Sequence, residues 1–224
     1  MDGKGGVFVI SAPSGTGKST LIRRLLSELD RLVFSVSFTT RRPRKGEVDG
    51  RDYFFIDDAA FDKMQAENGF VEWVHIYKHR YGTGRAWLQD QTDHGHDVLL
   101  DLETVGAMRV KEMFPDATLI FLTPPSAKAL ADRLRGRRKD TEEQILIRLQ
   151  HAKHEMEHWD SYDHIILNDD LEAAYINLKS VFVCARTSRE RMEHIARAAL
   201  DTFGSFPNPA LFALGKYKLS QLKN

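Results

Sequence analysis

The chain has 224 residues, 42% of them hydrophobic and 29% charged, with Lys+Arg and Asp+Glu equal at 32 each. Such a composition excludes a disordered chain and leaves room for one good core, with space for an inserted subdomain. Zero net charge excludes the global positive field of a nucleic-acid binder, and the single Cys184 excludes an internal disulfide and fits a reducing, cytoplasmic compartment.

No apolar stretch approaches the length of a membrane span, and Met1 to Gly6 lead straight into an apolar run, so neither a membrane anchor nor a signal peptide is expected. Val7-Phe8-Val9-Ile10 reads as a buried strand. It is followed by Ser11-Ala12-Pro13-Ser14-Gly15-Thr16-Gly17-Lys18-Ser19-Thr20 and then by the helical pattern Leu21, Ile22, Leu25, Leu26, Leu29. Strand, tight turn and helix in this order form the phosphate-binding loop of a nucleotide-hydrolysing or nucleotide-transferring enzyme, with residues 12–20 expected to hold the nucleotide. Gly15 and Gly17 let successive N–H groups point inward as an anion nest, with the positive end of the helix behind them. Lys18 supplies a full charge for the β- and γ-phosphates, and the Ser19 hydroxyl is placed to ligate Mg²⁺. Ala12 stands where the pattern G-x-x-x-x-G-K-[ST] expects Gly.

Residues 35–90 then break the rhythm, with short strand-like pieces at Ser35–Phe38 and Tyr53–Ile56 and turn signals at Lys45-Gly46 and Asp49-Gly50. A helix from Asp58 to Asn68 is expected, capped by Asp57 or Asp58. Between them Arg41, Arg42, Arg44, Lys45 and Arg51 gather guanidiniums, hydroxyls and the Tyr53 phenol into one loop suited to phosphate oxygens.

Further buried strands are expected at Val98–Leu102, Thr118–Leu122 and His164–Asn168, and helices at about 17–29, 126–136, 141–159 and 171–200. Alternation of this kind implies a parallel sheet with helices on both faces and a ligand site beyond the carboxyl ends of the strands. Asp101 ends one of those strands, so it is a candidate second anchor for Mg²⁺, through water. A second basic cluster, Arg133 to Lys139, precedes a helix starting near Thr141.

The segment Ser37-x-x-x-Arg41-x-x-Arg44-x-Gly46-Glu47-x-x-Gly50-x-x-Tyr53 resembles the substrate-phosphate segment of the guanylate kinases. So do Glu72-Trp73, Tyr81-Gly82-Thr83 and Asn168-Asp169-Asp170, and the likeness runs from about residue 6 to 186. Ala12-Pro13-Ser14-Gly15 also resembles the bacterial form of that family's loop. The resemblance implies an α/β fold of the P-loop NTPase type, three-layered, with a five-stranded parallel sheet. Its core would be 1–36, 91–125 and 151–203, with an α+β GMP-binding insertion at 37–90, a helical lid at 126–150 and a tail at 204–224.

It further implies Mg²⁺-dependent transfer of the γ-phosphoryl group from ATP to GMP or dGMP. Residues matching Arg41, Arg44, Tyr53 and Tyr81 would hold the GMP phosphate, and those matching Ser37, Glu72, Thr83 and Asp101 would read guanine. Arg133, Arg137 and Arg148 match arginines that close over ATP; with Lys18 and Arg41 they form the expected catalytic set. Chemistry supports the base assignment independently: a carboxylate such as Glu72 accepts from N1–H and N2–H₂, while a hydroxyl, Ser37 or Thr83, donates to O6. Adenine would leave buried groups unpaired, which supports discrimination on the order of 10⁴. Two departures stand out: Glu103 where family members commonly carry a second Asp, and Arg138 where they usually carry Gly.

His154-Glu155-Met156-Glu157-His158 also satisfies the zinc motif H-E-x-x-H. It falls in the helix returning from the lid, where a solvated face accounts for it better. Two other readings share parts of the pattern. A kinase of a phosphorylated ribose needs no base-reading carboxylate, and a guanylate-kinase-like protein-binding module needs neither Lys18-Ser19 nor an arginine-rich lid. The expected partners are therefore small nucleotides and not nucleic acid or membrane.

Overall fold

The structure, a computed structural model, describes residues 3–76, 78–136 and 140–204. By internal contacts the chain divides into Met1–Val183 and Cys184–Asn224.

The first unit is built on β1 (Val7–Ser11), buried at every position because it lies mid-sheet between β7 (Asp97–Asp101) and β8 (Thr118–Thr123). With β2 (Leu32–Phe34) and β9 (His164–Leu167) at the edges the order is β2-β7-β1-β8-β9, and every pairing is parallel. This is the expected five-stranded sheet. Its fifth member, β2, is only three residues long and carries no periodic signal of its own.

Alternation along the strands sends Val7, Val9, Val98, Leu100, Leu119 and Phe121 to one face. There they pack with Leu88 of α3 (Arg85–Asp93) and Ala107 and Val110 of α4 (Thr104–Met113). On the other face Phe8 stacks on Phe182 of α7 (Leu171–Arg186), ring centroids 4.2 Å apart. Helices on both faces give the three layers. Neither α3 nor α4 carried a recognisable pattern, since each buries only two or three residues of nine or ten.

A second sheet, β4-β3-β6-β5, lies within the expected insertion: β3 (Phe38–Thr39), β4 (Phe54–Phe55), β5 (Phe70–Ile76) and β6 (His79–Gly84). α2 (Asp58–Ala66) crosses between β4 and β5, its N-cap Asp57 accepting from the Ala60 N–H at 2.7 Å. The hairpin β5–β6 was invisible in the sequence, because Gly82 and Gly84 weaken a strand pattern. In the expected lid, α5 (Ala127–Gly136) and α6 (Glu142–Met156) bury Leu130, Leu134, Ile145 and Ala152 against one another. Thr141 and Gln144 close a capping box at the start of α6.

The single helix expected over 171–200 is two. α7 ends at Arg186, and α8 (Arg189–Gly204), in the second unit, starts behind Ser188, whose Oγ accepts from the Arg191 N–H at 3.4 Å. A Ser that can cap competes with continuing a helix. Arg137, Arg138, Lys139 and the tail from 205 onward lie outside the described residues.

Candidate active site

α1 (Lys18–Glu28) starts directly behind the loop that leaves β1. Gly15 and Gly17 hold φ of +99° and +104°, and a Cβ on Gly17 would lie 2.7 Å from the Asn168 amide nitrogen. Only glycine accepts both the left-handed backbone and that close approach. Behind the loop, Thr16 C=O accepts from Asn168 Nδ2 at 2.6 Å and from Arg133 at 3.3 Å. Arg133 also donates to the Asn168 carbonyl at 2.9 Å. The loop is thus braced from below by α5 and by the residue that follows β9.

A cavity of about 250 Å³ opens over the loop, lined by Ala12, Pro13, Ser14, Gly15, Gly17, Lys18, Ser19 and Thr20. Of the nine expected ATP-binding positions only Thr16 turns away from it. Glu103 and Glu155 complete the wall. Arg148 of α6 donates to Ser14 Oγ at 3.3 Å and pairs with Asp140 at 3.4 Å, so α6, in the expected lid, reaches the loop.

A second cavity, about 220 Å³, is lined by Ser37, Tyr53, Thr83 and Asp101, together with Phe34, Ser35, Asp52, Leu100 and Leu102. Four of the expected GMP residues are brought together here. Glu72, 6% exposed, stands behind Thr83, whose hydroxyl donates to Glu72 Oε1 at 2.7 Å. Since that proton is spent on the carboxylate, Ser37 is the free hydroxyl of the two proposed donors. Burial pushes the Glu72 carboxyl above its ordinary 4.5, opposed by the Thr83 hydrogen bond and the Arg109 charge.

The arginine loop is assembled around an internal anion. Arg41 donates to Glu47 Oε1 at 2.8 Å, and the Arg44 N–H donates to Glu47 Oε2 at 2.6 Å. Those two contacts hold the Glu47 carboxyl below its usual range. Arg41 lies 5.3 Å from the Tyr53 ring centroid, and Tyr53 meets Tyr81 edge to face at 5.9 Å. Arg44 is exposed, tied to this cluster through its backbone alone among the contacts described.

The two cavities meet at the carboxyl end of β7. Lys18, in the wall of the phosphate-loop cavity, forms an ion pair with Asp101, in the wall of the other. Leu102 lines the second cavity and Glu103 the first, so one short turn borders both. Glu103 occupies the N-cap of α4 without capping it, which leaves its carboxylate to the cavity.

In the sequence Glu155 reads as part of H-E-x-x-H on a solvated helix face. In the structure α6 ends at Met156, so His158 is not on the helix with His154, and Glu155 turns to the phosphate loop. Burial and Glu103 push its carboxyl above the ordinary 4.5. Its position seven residues after Arg148 was the available signal, since that spacing puts both on one helix face. Among the described residues no group of three His, Cys, Asp or Glu is arranged to hold a metal, and no helix is long and apolar enough to cross a membrane.

The guanylate kinase family model matches residues 4–185. The chain is 44% identical over 189 residues to the guanylate kinase of Zymomonas mobilis, covering 84% of this chain and 88% of that protein. It is 42% identical over 199 residues to that of Chromobacterium violaceum, covering 89% and 93%. Its fold is similar to the crystal structure of guanylate kinase from Anaplasma phagocytophilum, with a TM-score of 0.63 and 30% identity over 86% of this chain and 95% of that one.

Proposed function

The chain belongs to the guanylate kinase family, and on that premise we propose how it transfers the γ-phosphoryl group of ATP to GMP, giving ADP and GDP. The observation that carries this reading is the ion pair between Lys18 and Asp101, which ties the wall of one cavity to the wall of the other. A single phosphorus can pass between two cradles only if they share a border.

ATP lies with its phosphates in the nest of residues 12–20, with Lys18 on the β- and γ-oxygens. GMP enters the second cavity. Glu72 accepts from N1–H and N2–H₂, Ser37 donates to O6, and Asp101 and Thr83 complete the base contacts. The GMP phosphate displaces the Glu47 carboxylate from Arg41 and gains Arg44 and the phenols of Tyr53 and Tyr81. A GMP phosphate oxygen, already anionic, attacks the γ-phosphorus in line as the bond to the β–γ bridging oxygen breaks and ADP leaves. No general base is required. Arg148, with Arg137, closes over the transferring group and keeps out water that would otherwise accept it, while Arg133, expected with them from the sequence, has its donors on the Thr16 and Asn168 carbonyls and steadies the loop from behind.

Ser19 lines the phosphate-loop cavity and Asp101 stands at its border on Lys18, and both offer oxygen donors, the kind that a hard divalent cation prefers. Ser19 would ligate Mg²⁺ directly and Asp101 through water, and the bound ion would offset charge on the β- and γ-oxygens. A cytoplasmic setting is part of the reading, in keeping with the lone exposed Cys184.

A coupled assay of ADP release, with GMP, AMP, UMP and ribose phosphates as acceptors, tests the proposal. Turnover confined to GMP and dGMP is expected. Preference for a ribose phosphate, or no turnover with any acceptor, would overturn it.

A further inference from the structure

We propose that Arg109, on α4 of the core, is a positioning residue for guanine recognition, acting through Glu72. The inference rests on reading Glu72 as the base-binding carboxylate. Three observations place α4 directly behind that side chain. A Cβ built on Gly106 would lie 3.7 Å from Glu72 Cγ, so the carboxylate stem lies across the helix at its one residue without a side chain. Arg109 follows three residues later, on the same helix face as Gly106. Its guanidinium donates to the carbonyl of Trp73, the residue next to Glu72, at 3.3 Å.

The physical need is specific. Guanine presents two donors to Glu72, so the carboxylate must be ionised to accept both, yet it is 6% exposed and burial favours the protonated form. Two groups oppose this: Thr83 from β6, by hydrogen bond, and Arg109 from α4, by charge. Arg109 is therefore the charged group that the described residues set against Glu72. It reaches from the core across to β5, so the base-reading carboxylate of the inserted sheet is tuned by a helix outside that sheet. Arg109 itself is exposed, which makes the effect modest and sensitive to salt.

The test is the acid limb of kcat/KM for GMP against pH at low ionic strength in the wild type, R109K, R109Q and R109L. Gln keeps a donor for the Trp73 carbonyl and removes the charge; Lys keeps the charge. The expected result is that R109Q and R109L move the limb up by about half a pH unit, roughly threefold in kcat/KM on the limb, while R109K stays with the wild type. KM for ATP should be unchanged in all four, and added salt should move the wild-type limb toward that of R109Q. Superposition of R109Q on the wild type would overturn the proposal, as would a loss shared by GMP and ATP, the mark of a merely structural tie. A fifth protein, E72Q, separates this from failure of the underlying reading. If E72Q keeps both its GMP turnover and the acid limb, Glu72 is not the base reader and the premise falls, whatever Arg109 does.

Discussion

The two anion cradles are built from different materials. Around the phosphate loop the donors are main-chain N–H groups, fixed by two positive-φ glycines and braced by Asn168 and Arg133 on the carbonyl of Thr16. In the insertion the donors are side chains, and the principal one, Arg41, is occupied by the internal carboxylate of Glu47. The N–H groups of Thr16 and Thr20 donate to the carbonyls of Pro13 and Gly17 within the loop, but the nest holds no carboxylate of its own, which suits it to an incoming anion. The Arg41 guanidinium is neutralised by Glu47 in this structure, so on the proposed reading its substrate enters by exchange. On the proposed reading the first cradle is rigid and general for phosphates, and the second is adjustable and coupled to a base-reading pocket.

Lys18 gives the sharpest way to break this contrast, because it is the cation in the wall of the rigid cradle and touches the border with the other. K18M should lower kcat by about 10²–10³-fold, the scale for removing one preorganised donor to transition-state charge. The thermal midpoint should stay close to the wild-type value, since Lys18 lies in a cavity wall and not in the core. Near-normal turnover would mean that the amide nest suffices and that the Lys18–Asp101 link is incidental.

E72Q probes selectivity in the adjustable cradle. Gln offers N1–H an acceptor but sets a donor against N2–H₂, so the preference for GMP over AMP should fall about 10²-fold in competing-substrate kinetics. Stability should move the other way. A carboxyl whose folded value lies above its unfolded one favours the fold below the unfolded value and loses that contribution as pH rises through the folded one. At neutral pH ionised Glu72 therefore weighs against the fold. Ligand-free E72Q should melt higher than the wild type at pH 7, with the gap closing on acidification.

R41M separates substrate capture from chemistry. KM for GMP should rise by about tenfold or more while KM for ATP stays within about twofold, since a charge-assisted fork is lost on one side alone. The variant also strands Glu47. A carboxyl held low in the fold contributes stability above its unfolded value and loses it as pH falls through the folded one. The wild type should therefore lose more stability than R41M between neutral pH and the low-pH side of Glu47. Equal acid slopes in calorimetry would show that Arg41 is not what holds that carboxylate.

The same contrast explains how much was legible beforehand. The phosphate loop is contiguous, so residues 12–20 and the strand and helix around them could be read locally, and eight of the nine positions line one cavity. The base cavity is assembled from Ser35 and Ser37 near the edge of the core, Tyr53, Thr83 and the end of β7. Its members were recognised through a family likeness because no local pattern joins them. What stayed hidden depends on packing: the hairpin β5–β6, the role of Glu155 two turns past Arg148, and the approach of Glu72 to α4 at Gly106. The break at Ser188 was missed for a subtler reason, since helical periodicity continues on both sides of a residue that caps.

The smallest effect tests whether the rigid cradle depends on how the lid helix begins. Thr141 Oγ1 accepts from the Gln144 N–H at 3.3 Å, and Gln144 Oε1 accepts from the Thr141 N–H at 2.9 Å, which closes the first turn of α6. T141A removes half of that box, at about 1 kcal/mol of local helix stability. Arg148 follows two turns on and reaches Ser14 from there, so fraying at the start of α6 should weaken its grip on the loop. KM for ATP should then rise about twofold with KM for GMP unchanged, a split that stopped-flow binding of a fluorescent ATP analogue can resolve. If ATP affinity holds while the thermal midpoint drops, Arg148 is positioned by the packing of Ile145 and Ala152 against α5 and not by the cap. The lid would then move as a preformed helix pair, and the adjustable half of the enzyme would be the insertion alone.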